Sequence, residues 1–258
     1  MDQLLARLSN LSYEFFGIFL PGVVGWLFLA LWWACLGPVG STMSGGAIPG
    51  FTVAGICCAL DSLSLAAMTA AAVPAIASIY FLGHLLHWSA RSGKPPKADA
   101  PPPNRVWRSL CFRIPKPKDS FSPKLGPLFE FVQDEFACGA ARIEWPQLFP
   151  VLKTYLSRNL THSLVPTYQN KYTLHRAITT ASAAWFWLSI GTLPAVIVLK
   201  CVGGPGAHYI ALTGCVGAAF LLVRGFSDSY MYHWVNFGNA VVTETYALLR
   251  KASDAEFN

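Results

Sequence analysis

His84 and His87, in the string GHLLHW, stand three residues apart. At that spacing two imidazoles share one helix face and can begin a metal site. No third ligand stands near them, so the pair reads as two histidines at the polar end of an apolar helix. The seven cysteines, Cys35, Cys57, Cys58, Cys111, Cys138, Cys201 and Cys215, contain no Cys-x-x-Cys pair and no Cys/His zinc spacing. Several lie in apolar runs, where a thiol behaves as a small hydrophobe, and they read as reduced structural residues. Asp228 follows Arg224 by four residues, the spacing of a helical ion pair. Glu14 favours the start of the helix behind it, and Glu244 reads as a solvated carboxylate. Phosphate-binding loops, Gly-x-Ser-x-Gly, His-Glu-x-x-His and dinucleotide fingerprints do not occur. These residues therefore predict no catalytic site, no metal site and no cofactor.

The elements that carry these residues are apolar. The chain is 53% hydrophobic and 12% charged, against about 25% charged residues in an ordinary soluble domain. Charge is excluded where a side chain faces lipid, at a cost of roughly 2.5–3.5 kcal/mol per residue at a span centre. Four runs are long enough to cross a bilayer: 15–36, 63–86, 178–200 and 207–223. Pro21 in the first and Pro74 in the second interrupt the helical hydrogen-bond ladder, and each reads either as a tolerated kink or as a hinge. Ala67, Ala71 and Ala75 recur at four-residue spacing, and Gly214 and Ala218 do the same in the last run. Such faces let another helix come close and predict helix packing and self-association. No Asp, Glu, Lys or Arg falls inside the four runs away from their ends, which argues against an ion-coupled transporter.

Between the runs the composition changes. Gly37–Ser62 is Gly-rich and has no Lys or Arg, and a short re-entrant element is one reading of it. Residues 91–124 form a basic, Pro-rich linker that includes Lys94, Lys97, Arg105, Arg108 and Arg113. Its cluster suits lipid head groups or a partner surface better than nucleic acid, because it is Pro-rich and lacks a basic helix face. Residues 125–176 read as a small helical layer, and 224–258 as an amphipathic C-terminal helix. Tyr168, Tyr172, Phe226, Tyr230 and Phe237 are the aromatic positions expected to couple that layer to the spans. The Lys/Arg bias places the basic linker and both termini in the cytoplasm. The resulting division is 1–90 with spans one and two, 91–124, 125–176, 177–223 with spans three and four, and 224–258.

Two resemblances can be stated on particular strings. SRNLTHS, with Arg158 and His162, resembles the Arg/His motif of the HEPN ribonucleases, at a spacing one residue too short. YEFFGIFLPGVVGWL, YFLGHLLHWS and RGFSDSYMYHWVNFGNAVVTETYALL resemble small, mostly uncharacterised bacterial inner-membrane proteins, some of which sit beside anti-phage defence genes. That second resemblance implies a bacterial source and a defence role, and no functional residues.

The expectation is an all-α integral membrane protein: a four-helix transmembrane bundle, a small helical cytoplasmic layer and a C-terminal cytoplasmic helix. It is expected in the bacterial inner membrane, in contact with lipids and with copies of itself. Its function is expected to be non-enzymatic: a pore-forming or membrane-perturbing effector triggered from the cytoplasm. The alternative is a membrane anchor or sensor that recruits a soluble cytoplasmic partner.

Overall fold

Pro21 dictates how the first long helix begins. It has no N–H to donate, and its ring crowds the carbonyl four residues back. A π-helical turn, Phe15–Phe19, precedes it, and the Leu20 N–H bonds the Phe15 carbonyl five residues back. The wider turn shifts the carbonyl ladder before the chain reaches the proline. Helix α1, Leu20–Met43, follows. It continues past Leu36 and through Pro38, further than apolarity alone predicts, so the segment expected from Gly37 begins inside a helix.

The computed structural model describes residues 12–43, 64–91, 105–113, 120–137, 143–160, 162–202 and 209–256, and their regular structure is all helical. The remainder of the Gly-rich segment, Lys94, Lys97 and the hairpin between the last two spans lie outside the described residues. After α1 come α2 (Leu65–Arg91), α3 (Arg105–Leu110), α4 (Gly126–Phe136), α5 (Trp145–Asn159), α6 (Val165–Cys201) and α7 (Tyr209–Glu256). Four helical stretches are long and apolar enough to cross a membrane: Ser12–Leu36, Thr69–Ala90, Val165–Val198 and Tyr209–Ser253. By length and composition the chain is a multi-pass membrane protein.

The chain divides into two compact units. The first, here the span unit, comprises Glu14–Pro115 and Leu174–Ser227. Its α2 meets α1 and the π-helical turn before it at glycines. A Cβ on Gly22 would run into the backbone carbonyl of Ile79, and one on Gly83 into that of Ile18. Gly25 faces the side chains of Leu82 and Leu86 instead. Around α6, Phe28 stacks on Trp185 with centroids 4.5 Å apart and planes 8° apart. Leu110, Ala183, Trp185, Phe186, Ala219 and Val223 are buried together.

The linker expected over 91–124 therefore contains an ordered piece of the span unit. On α3, Ser109 and Leu110 are fully buried. Ser109 shares a 3.0 Å hydrogen bond with Ser227, and Trp187 Nε1 donates to the Leu110 carbonyl at 2.6 Å. The helix is closed by a Schellman turn: Arg113 N–H bonds the Arg108 carbonyl and Phe112 N–H the Ser109 carbonyl. Phe112 takes φ 58° where glycine is usual.

The second unit, here the aromatic unit, comprises Met1–Tyr13, Lys116–Thr173 and Asp228–Asn258. Leu148, Leu152 and Leu156 fall on one face of α5 and pack with Val132, Val165, Phe237, Ala240 and Val241. Pro146 sits in the first turn of α5, where its missing N–H costs nothing. The segment at Ser120 crosses α7 at Gly238, whose Cβ position is taken by the Ser120 carbonyl. Asn239 Oδ1 then accepts the Ser122 N–H at 2.7 Å.

Gly22→Ala or Gly83→Ala is expected to destabilise the span unit by about 1–3 kcal/mol, since a backbone carbonyl cannot move aside as a side-chain tip can. Gly191→Ala, whose Cβ meets open space, should be neutral or gain up to about 1 kcal/mol. Thermal unfolding in detergent reads both, and equal melting temperatures for all three would contradict the close α1–α2 contact.

Candidate functional site

An α-helix in contact with lipid turns its polar side chains toward protein, and α6 does so along one face. Ser182, Trp185 and Ser189 recur at helical spacing, and all three are buried in the span unit. One turn further on, the Thr192 hydroxyl accepts a hydrogen bond from Trp32 Nε1 at 3.2 Å and bonds back to the Leu188 carbonyl at 3.0 Å. The Thr179 and Thr180 hydroxyls bond to the His175 and Arg176 carbonyls. By contrast Ser182 Oγ, Ser189 Oγ and Trp185 Nε1 have no hydrogen-bond partner among the described residues. Such an orphaned group costs about 1–3 kcal/mol in protein interiors. The three make a stripe of unpaired polar groups inside the span unit.

Beside the stripe, Val106 of α3 packs on the same buried cluster, and the helix shows Trp107 outward. Trp107, 54% exposed, meets Trp187 edge-on at 6.3 Å. Arg108 is half-buried, and Cys111, Phe112 and Arg113 are exposed. Exposed tryptophan beside arginine on a unit of apolar helices is the composition of a head-group zone. Arg105 belongs to the first turn of α3.

In the aromatic unit four of the five expected coupling residues come together. Tyr172 contacts Trp234 at 5.2 Å, Phe237 at 5.3 Å and Tyr230 at 6.3 Å between centroids. Tyr230 and Phe237 are buried, and Tyr168 and Tyr172 are half-buried. The cluster extends from Phe237 through Phe149 and Trp145 to Phe129 and Phe121. Phe226 belongs to the span unit, where it lies 5.2 Å from His175.

Glu244, expected to be solvated, instead closes the start of α6. Its Oε1 accepts the Leu164 N–H at 2.7 Å, and its Oε2 accepts the Ser163 hydroxyl at 2.6 Å. Ser163 Oγ in turn accepts the Val165 N–H at 3.1 Å. A carboxylate here satisfies the orphan donors of a helix N-terminus and complements its dipole. No spacing rule links residue 244 to residue 163, so only the tertiary structure reveals it.

The other sequence positions fall as follows. Ala71, Ala75, Gly214 and Ala218 are exposed, and Ala67 is half-buried. Close packing within the chain uses Gly22, Gly83 and Ala219 instead. Pro21 is buried beside the π-helical turn, and Pro74 is exposed inside α2. His84 stands edge-on to Tyr80 at 4.6 Å, and His87 is buried. Among the described residues no three His, Cys, Asp or Glu side chains group as metal ligands. Arg158 is in α5, which ends at Asn159, and His162 lies beyond that end, so the two do not share a helix.

Glu244→Ala is expected to cost about 1–2 kcal/mol by stranding the Leu164 N–H and the Ser163 hydroxyl. Glu244→Gln, which keeps one acceptor, should cost less. Amide hydrogen exchange at Leu164 and Val165, with the melting temperature, reads the loss, and unchanged exchange in Glu244→Ala would refute the cap.

Compared with protein-family models, with curated proteins and with solved structures, the chain matches none.

Proposed function

We propose that the protein acts on the bilayer itself. In this reading it is a non-enzymatic, self-associating protein of the bacterial inner membrane that perforates or perturbs the membrane. Its trigger arrives from the cytoplasm through the aromatic unit, and anti-phage defence is the setting suggested by the sequence resemblance. The observation that carries the reading is the polar stripe of Ser182, Trp185 and Ser189. An apolar bundle that served only as an anchor would be more stable with alanine or valine at Ser182 and Ser189. Hydroxyls held inside it become useful when water enters. α6 and α7 support the coupling, because each is a single helix with residues in both units. A signal that reorganised Tyr172 or Tyr230 would act on the same two helices that carry spans three and four.

A second reading, a membrane anchor that recruits a soluble cytoplasmic protein, is favoured by the exposed Val151, Leu164 and Tyr232 of the aromatic unit. Both readings share one orientation, with the termini and the basic residues in the cytoplasm. Labelling of single cysteines placed at Gly45 and Ala100 tests it: the two should react from opposite sides, and reaction of both from one side would overturn it.

Vesicles of phosphatidylethanolamine and phosphatidylglycerol loaded with a small dye test the leading reading. The full chain should release the dye, slowly at rest and faster with Tyr172→Ala, which disturbs the aromatic unit in place of the cytoplasmic trigger. Ser182→Val and Ser189→Val should insert and melt no lower than the parent, gaining up to about 1–3 kcal/mol by losing an unsatisfied hydroxyl, yet release the dye more slowly. Tight vesicles at every protein density, with Tyr172→Ala as with the parent, would remove the pore reading and leave the anchor.

A further inference from the structure

Cys35 on α1 and Cys215 on α7 are 180 positions apart in the chain, and their Sγ atoms stand 3.8 Å apart. Both are free thiols and both are half-buried. Their juxtaposition is held by contacts that do not involve sulfur. Trp32, one turn before Cys35, donates to Thr192 at 3.2 Å, and Phe28, one turn earlier again, stacks on Trp185. Cys35 packs with Trp32, Leu36, Leu193 and Tyr209 around Val196 and Leu212. Cys215 packs against the cluster of Ala219 and Val223. With the helices so held, the sulfurs are in van der Waals contact. A disulfide requires them to close by about 2 Å, a distance within the reach of side-chain rotation.

We propose that Cys35 and Cys215 form a redox modification site, oxidised to an intramolecular disulfide by a disulfide-bearing donor. One thiol, having lost its proton, attacks a sulfur of the donor disulfide. A mixed disulfide forms, and the donor's other sulfur leaves as a thiolate that takes up a proton. The second cysteine, deprotonated in turn, attacks the protein sulfur of the mixed disulfide and expels the remaining donor sulfur as a thiol. Two electrons and two protons pass to the donor, and one covalent bond joins the first span to the fourth. The crosslink depends only on the geometry of the pair. Its consequence rests on the pore reading: a bundle that must part α1 from α7 to admit water is locked shut when oxidised.

The experiment uses the full chain in detergent, with Cys57, Cys58, Cys111, Cys138 and Cys201 replaced by serine, treated with oxidised glutathione. The intact mass should fall by two hydrogen atoms, and no thiol should remain for maleimide after denaturation. Proteolysis should yield two peptides joined through residues 35 and 215 that separate on reduction. Adding Cys35→Ser or Cys215→Ser should abolish that joined pair. Peptide mapping of the unsubstituted chain gives the same readout should the five serines disturb folding. Two alkylatable thiols after treatment, glutathione retained on each cysteine, or a link between two copies would each overturn the proposal. If the internal link forms and dye release is unchanged by it, the modification site stands and the opening of this seam falls.

Discussion

Hydrocarbon gives no advantage to burying one leucine against another, because the lipid tail is as apolar as the side chain it replaces. Helices in such surroundings hold together through close van der Waals approach and through polar groups that cannot face outward. The span unit uses both. Gly22 and Gly83 bring α1 and α2 together until each backbone meets the other's Cβ position. Phe28 against Trp185, and Trp32 against Thr192, then set where α1 lies along α6. The Ser109–Ser227 bond and the Trp187 bond to the Leu110 carbonyl hold α3 on the same scaffold. Each of these is a directional contact, so the bundle has a register as well as a composition.

The aromatic unit follows different rules. Leucines of α5 and the ring cluster around Phe237 gather into one apolar core. Polar ends are closed with care. Glu244 caps α6, Asn239 receives Ser122, and Gln133 Nε2 donates to the Ile143 carbonyl at 2.6 Å. The two units therefore differ in what would loosen them. Added volume at a glycine threatens the first, and a lost cap or ring threatens the second.

Hydropathy made the four long helices readable, because length and lack of charge survive any choice of helix face. The choice of face was not readable. Ala67, Ala71 and Ala75 share the spacing of a packing stripe, but the structure brings α1 and α2 together at Gly22 and Gly83, one of which also lies in a run of large residues. α3 escaped notice because six residues are too few to show a period and prolines flank them. Glu244 looked solvated because its partners lie about eighty positions away. The aromatic cluster was partly visible, since Tyr168, Tyr172, Tyr230 and Phe237 stood out as buriable rings, but nothing in their spacing placed Phe226 elsewhere. The thiol pair was invisible for the same reason as the cap: its two halves are distant in the chain.

The unsatisfied hydroxyls of α6 press hardest on the choice between readings. A serine inside a helix ordinarily returns its proton to a carbonyl one turn back, as Thr179, Thr180 and Thr192 do here. Ser182 and Ser189 forgo that bond, and Trp185 between them leaves its indole N–H unpaired. Three such groups on one face concentrate the cost in a single seam, where a bundle selected for stability alone would have spread or removed it. Trp185 is also one of the contacts that hold α1 in place, through Phe28, and Trp32 on Thr192 is the next along α6. Parting α1 from α6 would uncover Trp185, which stacks on Phe28, and water would satisfy the indole N–H that the bundle leaves without a partner. On the pore reading, that unpaired group lies at a contact of α1, the helix that must move for water to enter; on the anchor reading it serves nothing.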